Sequence, residues 1–195
     1  MNRTGGSAHF NLLARVLHWV MALAILVMLF VGIGMVGSLT LRPMLVSLHR
    51  PLGIAILLLA LVRVVNRLRN PPPALPADLP AIQQLAAKAS HVLLYGLMFA
   101  LPLAGWAMVS AGGYPVTMVG GFHLPAIAPH DPRLYAALRA VHGWLALTLF
   151  AVVLAHLAAA LYHAWIRRDG VFAAMAHGAR NVSTGADRQE MIERS

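Results

Sequence analysis

The sequence predicts an all-α fold, a four-helix bundle integral to a membrane, and three observations predict it. The chain of 195 residues is 59% hydrophobic and 11% charged, whereas a soluble domain carries roughly a quarter charged residues. Four apolar runs, about Val16–Val36, Met44–Val65, Ser90–Ser110 and Ala140–Ile166, are each near or above the ~20 residues a helix needs to cross the hydrocarbon layer. None of the runs contains Asp or Glu, and the first acidic residue is Asp78.

Taken in order, the first run is a spanning helix rather than a cleaved signal peptide. It is long, and no clear small-residue cleavage site follows it. The second run carries Pro51, read as lying in the first turn of its helix, where a missing N–H costs little. The loop Asn70–Pro80 holds Pro71, Pro72, Pro73, Pro76 and Pro80 and reads as an extended connector. Pro102 falls mid-way in the third run and is expected to kink it. Ala111–Arg139, with Gly112, Gly113, Gly120, Gly121 and several prolines, reads as a cap folded back over one end of the bundle. The fourth run completes a single domain, residues 1–169, and residues 170–195 form a polar cytoplasmic tail. No internal repeat is visible.

The net charge of +9 does not point to nucleic acid, because the basic residues cluster at the ends of the apolar runs. Counting them sets the orientation. One side holds Arg3, Arg15, Arg63, Arg67, Arg69, Lys88, Arg167, Arg168, Arg180, Arg188 and Arg194; the other holds Arg42, Arg50, Arg133 and Arg139. The positive-inside rule then places both termini in the cytoplasm. There is no cysteine, which excludes disulfides, covalently attached c-type haem and Cys-ligated iron–sulfur clusters.

Four histidines, His18, His49, His142 and His156, lie in or at the edge of these apolar stretches. An ionisable side chain within a membrane needs a reason, and neutral imidazole is well suited to axial ligation of haem iron. His142 and His156 are 14 residues apart. At about 100° per residue both rings leave one helix face, roughly 21 Å apart along the axis. The first helix runs outward and the second and fourth relate to it by direction. His18 and His156 therefore share the cytoplasmic half, and His49 and His142 the outer half. Each pair reads as a bis-imidazole site for one non-covalent b-type haem, two per chain. The alternative, polar residues satisfied by interhelical hydrogen bonds, explains one buried histidine better than four at matched depths.

Other residues are weaker candidates. His163, seven residues past His156 and on the same face, rivals it as the partner of His18. It would separate two irons by about 31 Å, the whole hydrocarbon thickness, so it reads instead as an interfacial or propionate-side residue. Arg63 lies 14 residues after His49, at the level of the inner haem. Its guanidinium suits a haem propionate, or else it snorkels to the headgroups; the two readings weigh about equally. His91 opens the third run with no obvious partner and is read as lining a quinone pocket or bonding at the interface. His9, His123, His130 and His177 read as surface residues, and the ten methionines mostly as core filler. Nothing recommends Met108 or Met118 as ligands.

Several stretches together resemble the bacterial cytochrome b561 family of di-haem, four-helix membrane cytochromes. They are Ala14–Val20 (ARVLHWV), Ser47–Arg67 (SLHRPLGIAILLLALVRVVNR), Ser90–Gly105 (SHVLLYGLMFALPLAG), Val141–Gly143 (VHG) and His156–His163 (HLAAALYH). They cover all four spans. The resemblance implies b haems held by His18 and His156 on the cytoplasmic side and by His49 and His142 on the outer side. It also implies electron exchange with ubiquinone or another membrane quinone. At least one relative is regarded as passing electrons from superoxide to ubiquinone, and Arg42, Arg50, Arg133 and Arg139 would attract such an anion. The outer loop matches the family least, so the donor, superoxide or a redox protein, is open, and no catalytic residue is assigned.

The expected function is thus a quinone-linked oxidoreductase or electron carrier of the bacterial inner membrane. The close alternative is the cytochrome b subunit of a larger dehydrogenase or hydrogenase, with an iron–sulfur partner docking on the outer loop. A His-lined metal permease is disfavoured, since such carriers usually place Asp or Glu within the membrane. A structural subunit without cofactor leaves the stacked histidines unexplained.

Overall fold

A computed structural model describes residues 10–73, 78–118 and 120–176. His9, His177, Arg3, Arg180, Arg188 and Arg194 lie outside them, as does most of the expected tail. The chain is a multi-pass membrane protein built on four long helices: α1 (Leu12–Gly37), α2 (Arg42–Arg69), α3 (Ala81–Ala111) and α4 (Pro132–Leu161). Each has the length and apolarity to cross a membrane. A short antiparallel hairpin, β1 (Val116–Thr117) and β2 (His123–Leu124), pairs Val116 with Leu124 between α3 and α4. A π-helical turn, Tyr162–Arg167, and a last helix, α5 (Val171–Ala176), follow α4.

α1, α2 and α3 outrun the expected spans at both ends and α4 at its start, because hydropathy marks the part that meets lipid rather than the part that is helical. At its other end α4 stops at Leu161, and the π-helical turn covers the rest of the expected span. α3 begins at Ala81, and its first turns carry Gln83, Gln84 and Lys88. α4 begins at Pro132, with Asp131 as N-cap accepting from the N–H groups of Arg133 and Leu134; an aspartate there satisfies donors the helix leaves open. The expected cap therefore shrinks, since Pro132–Arg139 is helix. α2 begins at Arg42, so Pro51 lies inside the helix and Pro43 takes the early position. α3 runs through Pro102 without interruption. The segment expected as the start of a polar tail, Val171–Ala176, is instead α5. Arg168 precedes it in the left-handed region at φ 54°, uncommon for a residue with a Cβ, and its N–H closes the π-turn on the carbonyl of His163 at 2.8 Å.

The helices pack as two close pairs, α1 with α2 and α3 with α4, joined by α2 against α3. α4 makes no extended backbone approach to α1 or α2, and Leu149 is its one buried residue. Large apolar side chains such as Phe30, Trp144 and Leu23 stay exposed, the surface a bilayer covers. The core is one apolar layer drawn from all four helices: Met21 and Ile25, Ile56 and Ala60, Leu97, Met98 and Leu101, and Leu149. Leu149 stands midway between His142 and His156, so this layer separates the levels of the two histidine pairs.

The end that carries Arg15, Arg63 and Arg67 is here called the basic end, and the hairpin end the cap end. At the basic end α1 and α2 are tied by an asparagine cluster. Asn66 is 7% exposed. It exchanges hydrogen bonds of 3.3 and 3.4 Å with Asn11, and its Oδ1 accepts from Asn70 Nδ2 at 3.1 Å. Removing a buried partner strands the others, which costs about 1–3 kcal/mol. Asn66→Ala is expected to destabilise the protein by that amount, read as a lower thermal midpoint in detergent. An unchanged midpoint would mean that water replaces the cluster without loss.

At the cap end Trp106 Nε1 donates to Pro125 O at 3.0 Å and the N–H of Ile127 to Ser110 Oγ at 3.2 Å. These bonds fasten the hairpin segment over the end of α3. Met108 and Met118 pack against the small cluster Ile54, Val109 and Val116 beneath it, a core role that the sequence reading gave to most methionines.

Candidate functional site

α4 supplies one histidine to each end of the bundle. At the basic end the ring centres of His156 and His18 from α1 are 6.3 Å apart. At the cap end those of His142 and His49 from α2 are 6.1 Å apart. Both pairs bridge the interfaces where α4 stands off from its neighbours. In neither do the rings stack, their planes meeting at 63° and 68°.

These spacings suit a metal between the rings. An imidazole nitrogen sits about 2 Å from a bound transition metal, and the ring centre lies roughly 1 Å behind that nitrogen. Two rings on opposite sides of one iron are therefore about 6 Å apart, centre to centre. Among the described residues no group of three or more His, Cys, Asp or Glu side chains gathers to hold an ion. Two-ligand sites of this kind fit an iron whose other ligands come from a macrocycle. The polar surroundings fit too. His49 Nδ1 is buried without a hydrogen-bond partner. His142 Nδ1 faces the carbonyl of Leu101 at 3.1 Å; a carbonyl only accepts, so the ring's proton is on Nδ1 and the Nε2 lone pair is free.

The basic end is more crowded. Arg63 from α2 turns inward, not to the headgroups. Its Nη2 is 3.0 Å from His18 Nδ1 and its Nε donates to the Tyr95 hydroxyl at 3.0 Å. The snorkelling reading of Arg63 is thereby set aside, because its guanidinium is committed to two side chains within the bundle. As guanidinium only donates, His18 Nδ1 accepts here and the neutral ring carries its proton on Nε2, so a metal at His18 requires Arg63 to turn away from that nitrogen. Arg67 also lies over the Tyr95 ring, 5.8 Å from its centre. His91, expected to have no partner, packs 5.7 Å from His156. His91 and Tyr95 are one turn apart on α3 and face the same side, but that spacing does not say which helix they face.

His163 is held away from these rings. Its Nδ1 lies 2.6 Å from Asp169 Oδ2, and Arg167 bridges Asp169 and Asp78. Desolvation pushes the Asp169 carboxyl upward. Hydrogen bonds from His163 and the Val171 N–H, with the charges of His163 and Arg167, outweigh it and hold the carboxyl below its ordinary range. A lowered carboxylate pKa stabilises the fold above the ordinary value and loses that contribution as pH falls through the lowered one. The latch thus holds across neutral pH. His123 is exposed on β2, and His130 lies against Gly113. A cavity of about 420 Å³ opens at the cap end between α2 residues Pro43, Val46 and Arg50 and β1 residue Thr117. Arg50 Nη1 donates to Pro115 O beside it at 3.2 Å.

Comparison with known proteins identifies the family. The family model of prokaryotic cytochrome b561 matches residues 9–178, nearly the whole chain and all four helices. The chain belongs to the prokaryotic cytochrome b561 family. Cytochrome b561 homolog 2 of Escherichia coli (strain K12) is 30% identical over 176 residues, 87% of this chain and 92% of that protein. Cytochrome b561 homolog 1 of the same organism is 29% identical over 127 residues, 65% of this chain and 72% of that one. A probable superoxide oxidase CybB of Yersinia pestis is 33% identical over 139 residues, 69% of this chain and 76% of that one. Family membership makes this chain a bacterial membrane cytochrome b, an electron-transfer protein with b-type haem.

Proposed function

We propose that the protein relays electrons across the bacterial inner membrane, from a donor at the cap end to the membrane quinone pool, through two b haems per chain. His18 and His156 hold one haem and His49 and His142 the other. The observation that carries this reading is that one helix places two imidazoles, each about 6 Å from a ring on another helix, with an apolar layer between the levels. Bound haem supplies one-electron iron chemistry at these positions. The protein's part is to fix the rings, exclude water and set the charge around each site. Arg63 places a cation beside the basic-end pair.

Orientation follows from the uneven charge, eleven basic residues against four, which puts the basic end and both termini in the cytoplasm. Arg42, Arg50, Arg133 and Arg139 are left on the outside, where they attract an anionic donor. The Yersinia pestis relative is named a probable superoxide oxidase, and superoxide is the donor we propose. Two superoxide anions each lose one electron to become dioxygen, and one quinone takes both electrons with two protons.

The first test is a reduced-minus-oxidised spectrum of the purified protein with haem quantified per chain. About two b haems and the sharp bands of low-spin iron are expected, because bis-histidine iron is low-spin. No haem in protein made with ample supply would sink the reading. A second expectation concerns charge. Arg63→Gln should lower the midpoint potential of the basic-end haem, since a nearby cation favours the reduced, less positive iron. A redox titration that leaves that potential unchanged would show that another group neutralises the guanidinium.

A further inference from the structure

We propose that Gly105 and the carbonyl of Leu101 form a seat on α3 that sets the orientation of His142, making Gly105 a positioning residue for the cap-end haem. This rests on the ligation proposed above. Two independent observations meet here. His142 Nδ1 is 3.1 Å from Leu101 O. A Cβ built on Gly105 would stand 3.2 Å from His142 Cε1 and 3.4 Å from its Nδ1. Any other residue at 105 would therefore press on the ring more closely than an ordinary van der Waals contact. Position 105 is one turn past Leu101, so the missing side chain and the accepting carbonyl face the same ring.

The chemistry follows from the partner. The Leu101 carbonyl already belongs to a helix, yet a carbonyl has two lone pairs and serves a second donor. By accepting from Nδ1–H it fixes the tautomer with Nε2 free and makes the imidazole a stronger donor to iron. The basic-end pair is set differently, since His18 Nδ1 faces a cation that donates. With Arg63 donating to Nδ1, the neutral His18 ring holds its proton on Nε2, so His18 binds iron only after Arg63 has left that nitrogen, whereas His142 is already in its ligating tautomer. A side chain at 105 would push the ring off its acceptor by a few tenths of an ångström and weaken that bond. The ring cannot retreat without leaving the carbonyl, because both constraints come from the same turn of α3.

The experiment is Gly105→Ala in the full haem-loaded chain, with Gly105→Val as a larger step. Gly37→Ala and Gly96→Ala serve as controls, because a Cβ at either meets nothing within 4 Å. For Gly105→Ala the cap-end haem is expected to rise in midpoint potential and to be lost to an acceptor protein about tenfold faster, the effect typical of removing a partner behind a metal ligand. The basic-end haem should keep its potential, which also reports an intact fold, and both controls should match the parent. Nitrogen-15 spectra of the His142 ring give a reading that does not depend on haem. They should show Nδ1–H in the parent and a shifted or mixed tautomer in Gly105→Val. A cap-end potential and haem retention equal to the parent in Gly105→Ala, with an unchanged ring signal, would overturn the seat. If His142→Ala keeps both haems, the ligation proposal fails instead, and the ring spectra still decide whether Gly105 positions His142.

Discussion

His142→Ala should leave the protein with one haem per chain, the basic-end one. The alanine removes a ring that reaches His49 across the slot between α4 and α2 and leaves a single imidazole there. The loss is confined to that site for geometric reasons. His142 and His156 are 14 residues apart on one helix, roughly 21 Å. Changes that far apart with no shared partner act independently. The fold should survive, because α4 buries only Leu149 and Leu101 O keeps its helical bond. Pyridine-haemochrome quantitation should fall from about two to about one per chain, with one low-spin signal remaining. Full haem content in His142→Ala would mean that the pairing is wrong.

His156→Ala should give the complementary product, the cap-end haem alone, with electron delivery to quinone falling to background. The companion substitution His163→Ala should keep both haems. Depth alone does not separate these two residues, since they lie seven positions apart on one face. Their surroundings do. His156 packs against His18 and His91, while His163 is engaged by Asp169 at 2.6 Å. The informative comparison is one preparation of each variant, scored for haem count and for which midpoint potential is missing. Loss of the basic-end haem in His163→Ala, with retention in His156→Ala, would reverse the proposed ligands.

Much of this arrangement was legible before the fold was known. Four acid-free apolar runs imply four spanning helices. The direction of each helix gives the depth of His18, His49, His142 and His156, and the rings do meet at those levels. What the sequence conceals is whatever depends on helix rotation or on backbone. His91 was missed as a neighbour of His156 because depth says nothing of which way a ring points. Arg63 was left between two readings because a long side chain at a membrane boundary can turn either way. Gly105 closes one of the stretches that resemble the family, but nothing in the sequence ties it to His142, since only its missing Cβ matters and only beside a ring from another helix. Helix ends were misplaced for a different reason. Asp131 caps α4 well outside the apolar run, and Pro51 was put in a first turn that Arg42 and Pro43 occupy. α5 is a six-residue helix, too short for any periodicity to register.

The apolar layer of Met21, Ile25, Ile56, Ala60 and Leu149 has an electrical consequence. It lies between the two imidazole levels, with no charged group in it, so it is where the voltage across the membrane drops. An electron moving from the cap-end site to the basic-end site carries a negative charge through about 21 Å of a ~30 Å low-dielectric layer. In the proposed orientation it moves toward the negative side. A full crossing costs about 2.3 kcal/mol per 100 mV, and this step spans roughly two-thirds of it. The relay is therefore a generator: each turnover charges the membrane at the expense of redox energy, the existing potential opposes it, and an uncoupler that collapses that potential should make it run faster.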